Sequence, residues 1–320
     1  MPIVDHLLLY FDSNVYDRIS KTGAAEDVRK WIQRRSASLR VSEVILTEAF
    51  RIGDAELRSH QVDTIVSLAT LYPRPGAFLN ARELVSAIER YRPGWLRKHP
   101  DNLTVSRFLN LDRNVWRRLK EDPAYYPPGI EAGIEPLPAL AGEVKRVQKR
   151  TRTRLLDQGE HPAQALTQAG IETHWRWTQM LQWADLLDPA KTDQKFAQLI
   201  RAYLRPEPVS QEEWEMFWLK DVTAADLPRS RAYAVADYFQ RRYRVTAGNW
   251  MDAGHAVELL DVDYLVTGDQ DFFKVLVDLR GELPYGGLPI LLEPNQSVVD
   301  ELDRRVPPSP SAPGGNFGPL

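Results

Sequence analysis

Residues Asp252 to Phe273 read DAGHAVELLDVDYLVTGDQDFF, and no other stretch constrains the fold as strongly. A short amphipathic helix opening at Asp252 leads into an apolar strand at Tyr264–Thr267, and Asp269 and Asp271 follow directly. A helix feeding a buried strand belongs to an α/β arrangement, and here it carries three carboxylates to one edge of a sheet. Carboxylates gathered where strands end have one common use, the oxygen coordination of a hard divalent cation such as Mg2+ or Mn2+.

The two ends of the chain share the α/β pattern. Leu7 to Phe11 is an unbroken apolar run ending at Asp12, as in a central strand covered on both faces. Helical periodicity follows over Asp27–Arg35, and Leu39–Val41 reads as a second short strand. Ser42 is placed to cap the next helix, whose stripe is Val44, Ile45, Ala49 and Ile52 and which carries Glu48. Another helix is predicted over Ala81–Arg90, after the turn-forming PRPG at 73–76. Strand character returns at Tyr264–Thr267 and Pro289–Leu292. These elements predict a central parallel sheet flanked by helices.

The middle differs. Between residues 98 and 242 strand patterns nearly vanish, Trp becomes frequent, and Arg and Lys cluster. Helices are predicted over Leu140–Asp157, Ala163–Leu187, Gln194–Tyr203, Gln211–Leu219 and Arg231–Arg242. Residues 1–97 and 243–296 are therefore expected to form one α/β domain interrupted by a mostly α-helical insertion over 98–242. The Pro-, Gly- and Ser-rich end, taken as residues 297–320, is expected to be disordered.

The chain of 320 residues contains no cysteine, which excludes disulfides, thiolate metal sites and cysteine nucleophiles. The start, MPIVDHLLLYFDSN, has Asp5 and His6 inside its apolar run and does not read as a signal peptide. No apolar run approaches a membrane span, and a cytoplasmic location with no membrane partner is the expectation. The net charge of −3 decides nothing about nucleic acid, which depends on local clustering.

YFDSN at 10–14, SEVILTEAF at 42–50, DAGH at 252–255 and LVTGDQDF at 265–272 together resemble the PIN-domain nucleases. In that family an Asp ends the first strand, a Glu sits on an early helix, an Asp opens a later helix, and an Asp follows the next strand. The resemblance implies that Asp12, Glu48, Asp252 and Asp269 are catalytic and hold Mg2+ or Mn2+, with Asp271 as an accessory ligand. Ser13 and Asn14 occupy the small polar positions that follow the first Asp. The likeness covers roughly residues 1–95 and 245–295, and typical members have no insertion of this size.

Crowded carboxylates raise one another's pKa, so such a cluster is costly unless a cation offsets it. Each residue also has a plainer explanation. Asp12 fits a strand-end turn, Glu48 a solvated helix face shared with Glu43 and near Glu56, and Asp252 a first-turn acid or N-cap. Asp271 fits equally as the cap of a helix beginning at Phe272. His255, one turn beyond Asp252, is expected to be a packed, hydrogen-bonded histidine outside the ligand set, and Glu258 points elsewhere.

KRVQKRTRTR at 145–154 places Lys145, Arg146, Lys149, Arg150, Arg152 and Arg154 on adjacent helix faces, which suits a phosphate backbone; a solvated charged helix gives the same pattern. Arg241, Arg242 and Arg244 would extend that track. Trp175, Trp177, Trp183, Trp214 and Trp218 are expected to be mostly core. The whole predicts a metal-dependent nuclease, an endoribonuclease before a structure-specific DNA nuclease, with RNA as partner. A PIN-like protein that binds RNA or protein without cleaving is the other reading. The resemblance also admits a toxin-like nuclease held by a protein inhibitor.

Overall fold

The computed structural model describes residues 6–72, 74–128, 168–184, 195–207, 209–240, 249–283 and 285–307, with scattered positions between 139 and 157. Four strands, β1 (Leu7–Phe11), β2 (Ala37–Arg40), β3 (Tyr264–Thr267) and β4 (Leu288–Leu291), form one all-parallel sheet in the order β2-β1-β3-β4. Leu9 lies in register between Leu39 on one side and Tyr264 on the other. Parallel strands need both faces covered, and the unbroken apolar β1 sequence meets that need. Phe11 packs on Tyr16 with ring centroids 5.9 Å apart, while Tyr10, projecting to the opposite face, meets His255 at the same separation.

The first half of the chain supplies six helices: α1 (Ser13–Thr22), α2 (Ala25–Arg34), α3 (Glu43–Phe50), α4 (Ala55–Leu68), α5 (Gly76–Tyr91) and α6 (Asn102–Glu121). Asp54 caps α4 through the Glu56 and Leu57 amides, and Asp101 caps α6 through those of Leu103 and Thr104. Gly23 closes α1 at φ 66°, the left-handed conformation that glycine adopts without strain. Ser42 precedes α3 as expected, yet its hydroxyl does not cap the helix; it lies 2.7 Å from the Tyr10 hydroxyl.

No strand occurs among the described residues between β2 and β3. Between α6 and residue 240 the described residues include the helices Gln168–Gln182, Lys195–Arg201, Gln211–Met216 and Pro228–Gln240, and the described positions within 139–157 are also helical. They build a second apolar core around Trp175, Trp183, Trp214, Phe217 and Trp218, while Trp177 stays half exposed. The division expected at residue 97 does not follow the packing. Phe78, Leu84 and Ile88 of α5 belong to this second core, whereas Trp116 and Leu119 of α6 join the core around the sheet. The Pro228–Gln240 helix faces both, with Ala234 in one core and Val235 and Phe239 in the other.

The expectation of disorder from residue 297 needs correction. Ser297 caps a helix over Val298–Arg305, and Val298, Leu302 and Val306 bury an i, i+4, i+8 stripe in the core around the sheet. Asp303 accepts from the Trp31 indole at 2.8 Å and pairs with Arg34 and Arg35, so charge anchors the helix as well. Composition misplaced the boundary because the Pro-rich run proper begins only at 307; residues 308–320 lie outside the described residues. No helix among the described residues is long and apolar enough to cross a membrane. Because Leu302 is fully buried, Leu302→Ala is expected to lower unfolding stability by about 2–5 kcal/mol in a urea titration.

Candidate metal centre

β1 lies between β2, the next strand in sequence, and β3, which the chain reaches only after the helical stretch. Connections leaving β1 toward opposite sides open a crevice at the carboxyl ends of β1 and β3, the usual ligand position in an open α/β sheet. Asp12 stands at the end of β1, its amide donating to Val266 O at 2.9 Å, and Asp269 stands just past β3. Glu48 comes from α3, and Asp252 and His255 from the helix Asn249–Val257.

Asp12, Glu48 and His255 offer ligand atoms that all lie within 4.8 Å of one another, a buried group that could hold a metal ion. His255 is the residue that sequence reasoning left outside the ligand set. It is packed and hydrogen-bonded as expected, but it sits inside the acid cluster. Its Nε2 lies 2.8 Å from Glu48 Oε2 and 3.7 Å from Asp12 Oδ1, and its Nδ1 lies 2.7 Å from the Tyr10 hydroxyl. The i, i+3 spacing from Asp252 shows that the two share a helix side, but not that Glu48 arrives opposite them.

The charges explain the arrangement. Burial alone would pull the His255 pKa down, but the Glu48 charge and hydrogen bond, with Asp12 and Asp252, push it up to about 9. The imidazolium donates from both nitrogens, toward Glu48 and toward Tyr10. Burial also works to raise Glu48, and the His255 charge and hydrogen bond outweigh it, leaving Glu48 below its ordinary value. Asp12 is shifted upward by burial and by the nearby Glu48 charge, against the pull of His255. Asp252 is pushed up to about 8, first by burial and then by the Asp12 charge, with Glu48 and Asp269 adding to it. Asp252 and Asp269 are thus electrostatic neighbours of the cluster, although neither belongs to the group within 4.8 Å.

Polar side chains fix the crevice. Asp12 accepts from the Ser13 amide at 2.6 Å, from the Asn14 side-chain amide, and from the Thr267 hydroxyl at 2.8 Å. Asn14 Oδ1 accepts from the Gly268 amide at 2.6 Å, clasping the end of β1 to the end of β3. Thr267 Oγ1 accepts from the Asp269 amide at 3.0 Å, linking the two acids through one hydroxyl. The sequence placed Ser13, Asn14 and Thr267 in motifs without showing this clasp, because its partners lie some 250 residues apart.

Asp269, rather than Asp271, caps the following helix, Gln270–Glu282, accepting from the Asp271 and Phe272 amides at 2.8 and 2.9 Å. The helix therefore begins two residues earlier than a cap at Asp271 would require. Asp271 pairs with Lys274 at 2.9 Å on the surface and is not brought into the cluster. Glu56 is exposed on α4, and Glu258 turns away to pair with Arg40 and Arg229. Of the basic helix, Lys145, Arg146, Lys149, Arg150 and Arg154 are exposed, and Arg146 pairs with Glu143 at 2.7 Å. Arg152 lies outside the described residues, as do Arg241, Arg242 and Arg244.

Comparison with protein-family models, with curated proteins and with solved structures finds no match to this chain.

Both large shifts have one sign: the folded state binds these protons more tightly than the unfolded chain, so their contribution is present at low pH and is lost as pH rises. For Asp252 the loss runs from its unfolded value near 3.8 up to about 8, and for His255 from about 6.5 to about 9. Glu83, raised by burial to about 7, acts in the same direction. The metal-free protein is therefore expected to melt at progressively lower temperature between pH 6 and 9. Asp252→Asn should flatten that slope in part, as followed by scanning calorimetry.

Proposed function

We propose that this chain is a PIN-like, metal-dependent phosphodiesterase, an endoribonuclease in its simplest form. One observation carries the reading: Asp12, Glu48, Asp252, Asp269 and His255, from four separate segments, gather about one crevice at the carboxyl edge of the sheet. Carboxylate oxygens suit Mg2+ or Mn2+, of which Mn2+ takes an imidazole more readily, and Asp12, Glu48 and His255 are the side chains that would hold the ion. Such an ion supplies a water acidified toward neutral pH and an offset for charge developing on a phosphate.

The chain's own groups prepare the rest. The Ser13 amide and the Thr267 hydroxyl hold the Asp12 carboxylate in one orientation, and His255 holds Glu48. Asp252, with a pKa close to the working range, is suited to moving a proton on and off an attacking water. The exposed cations at Lys145, Arg146, Lys149, Arg150 and Arg154 offer a phosphate-binding face, and RNA is the partner they are assigned.

A second reading has one specific support. The imidazolium of His255 already offsets the buried acids, so the fold tolerates the cluster without an ion. A PIN-like protein that binds RNA or another protein without cutting would need no more than this.

Asp12→Asn and Asp269→Asn separate the two readings, because asparagine keeps the size and the helix-capping ability of each aspartate. With labelled single-stranded RNA and Mn2+, each is expected to slow cleavage more than about a hundredfold, since even the outer partners of metal ligands contribute about 10–100-fold. Circular dichroism should be unchanged. Wild-type rates in both variants, or no cleavage by the parent over a series of divalent metals, would remove the nuclease assignment.

A further inference from the structure

A second concave site lies beside the first, between the turn carrying Tyr72, Arg74 and Pro75 and the outer face of α6. It encloses about 340 Å³. Its floor is apolar and aromatic, with Leu109, Trp116 and Tyr72, the two rings 4.6 Å apart between centroids. Its rim carries four cations, Arg74, Arg113, Arg117 and Lys120, against one acid, Asp112.

None of the four cations has a carboxylate within ion-pair distance among the described residues. Lys120 rests over the Tyr72 ring at 4.2 Å, Arg74 over Phe78 at 5.2 Å, and Arg117 reaches only the Asn114 amide at 3.5 Å. Four cations left without acids around one apolar floor form an anion receptor with room for a flat ring system.

The groove also approaches α3, the helix that carries Glu48. A narrow cleft lined by Arg74, Pro75, Trp116, Ser42 and Glu43 continues it toward the start of α3. Ser42 is bonded to Tyr10, and Tyr10 to His255. Glu43 and Glu48 stand five residues apart on α3, an axial rise of about 7.5 Å.

We propose that this groove binds a single-stranded stretch of nucleic acid, its phosphates on Arg74, Arg113, Arg117 and Lys120 and a base against the Tyr72–Trp116 floor, and so holds the strand near α3, the helix that carries Glu48. The identity of the occupant rests on the nuclease reading above. A single strand is specified because bases inside a duplex cannot reach an aromatic floor, while unpaired bases stack on one readily.

The test measures binding by the full chain in EDTA, where no cleavage occurs, using fluorescence anisotropy of a labelled single-stranded RNA oligonucleotide over a salt series. Arg113→Glu combined with Arg117→Glu, both on the exposed side of α6, is expected to weaken binding on the order of tenfold or more. The same variant should lower the slope of log affinity against log salt by about 1.4, the share of two phosphates at about 0.7 each. Arg113→Gln combined with Arg117→Gln, measured alongside, should give an intermediate loss and guards against misfolding of the charge-reversed protein.

Parent-like affinity and slope in both α6 variants would overturn the proposal. So would loss of binding only in Lys149→Glu with Arg150→Glu, tighter binding of duplex than of single strand, or displacement by inorganic phosphate as effective as by unlabelled oligonucleotide. The two readings fail separately. Groove-dependent binding without cleavage in Mn2+ removes the nuclease and keeps the groove, whereas cleavage unaffected by the α6 variants does the reverse.

Discussion

The confinement of Asp12, Glu48 and Asp252 around one imidazole governs the rest of the molecule. Carboxylates in a poorly solvated crevice repel one another, and the chain accommodates them in two ways at once. Asp252 holds its proton up to about pH 8, and His255 keeps a positive charge up to about pH 9. The site is thus built to contain positive charge, and a fully deprotonated version without an ion would be the least stable state of the fold.

Holding that geometry requires support from far along the chain. The Asn14–Gly268 and Thr267–Asp12 bonds fasten the ends of β1 and β3, so the crevice cannot widen without breaking buried polar contacts. Behind the helix carrying Asp252 and His255, Arg40 of β2 and Arg229 of the Pro228–Gln240 helix both grip Glu258 and Asp261. This buried network joins sheet and helical layer at the base of the site helix. Removing one partner would leave the others uncompensated, which makes the network a fixed mount for Asp252 and His255.

Much of this was legible in the residues. The apolar runs at Leu7–Phe11 and Tyr264–Thr267 gave both strand boundaries, because a strand covered on two faces leaves no polar alternation to blur them. Asp12, Glu48, Asp252 and Asp269 stood out because each follows a strand or lies on a helix entering the same edge. His255 is packed and hydrogen-bonded as expected, but its place beside Glu48 was not legible, because its partners, Tyr10 and Glu48, lie over 200 residues away and helix periodicity reports only near neighbours. α1, α4 and α6 escaped notice although each carries a legible cap or stripe, and α6 in particular was hidden in a stretch judged by its tryptophans and basic residues. The helix over Val298–Arg305 was hidden by the proline-rich run beside it, though Ser297 and the Val298–Leu302–Val306 spacing marked it.

Protons and a divalent ion would compete for the same oxygens, and this sets how the crevice must behave if it is loaded. Glu48 is engaged by His255, and Asp12 by four polar hydrogen atoms from Ser13, Asn14 and Thr267, so neither carboxylate is free to swing toward a ligand. An ion held by Asp12, Glu48 and His255 would require His255 to be neutral with Nε2 deprotonated, since coordinating groups bind in their deprotonated forms. In that form the ring hydrogen would sit on Nδ1, where the Tyr10 hydroxyl, 2.7 Å away, can accept it. The Nε2 lone pair is then directed at the space between Asp12 and Glu48. The buried Tyr10–Ser42 pair therefore supports the far side of the His255 ring, and Ser42 also lines the cleft beside Arg74 and Trp116.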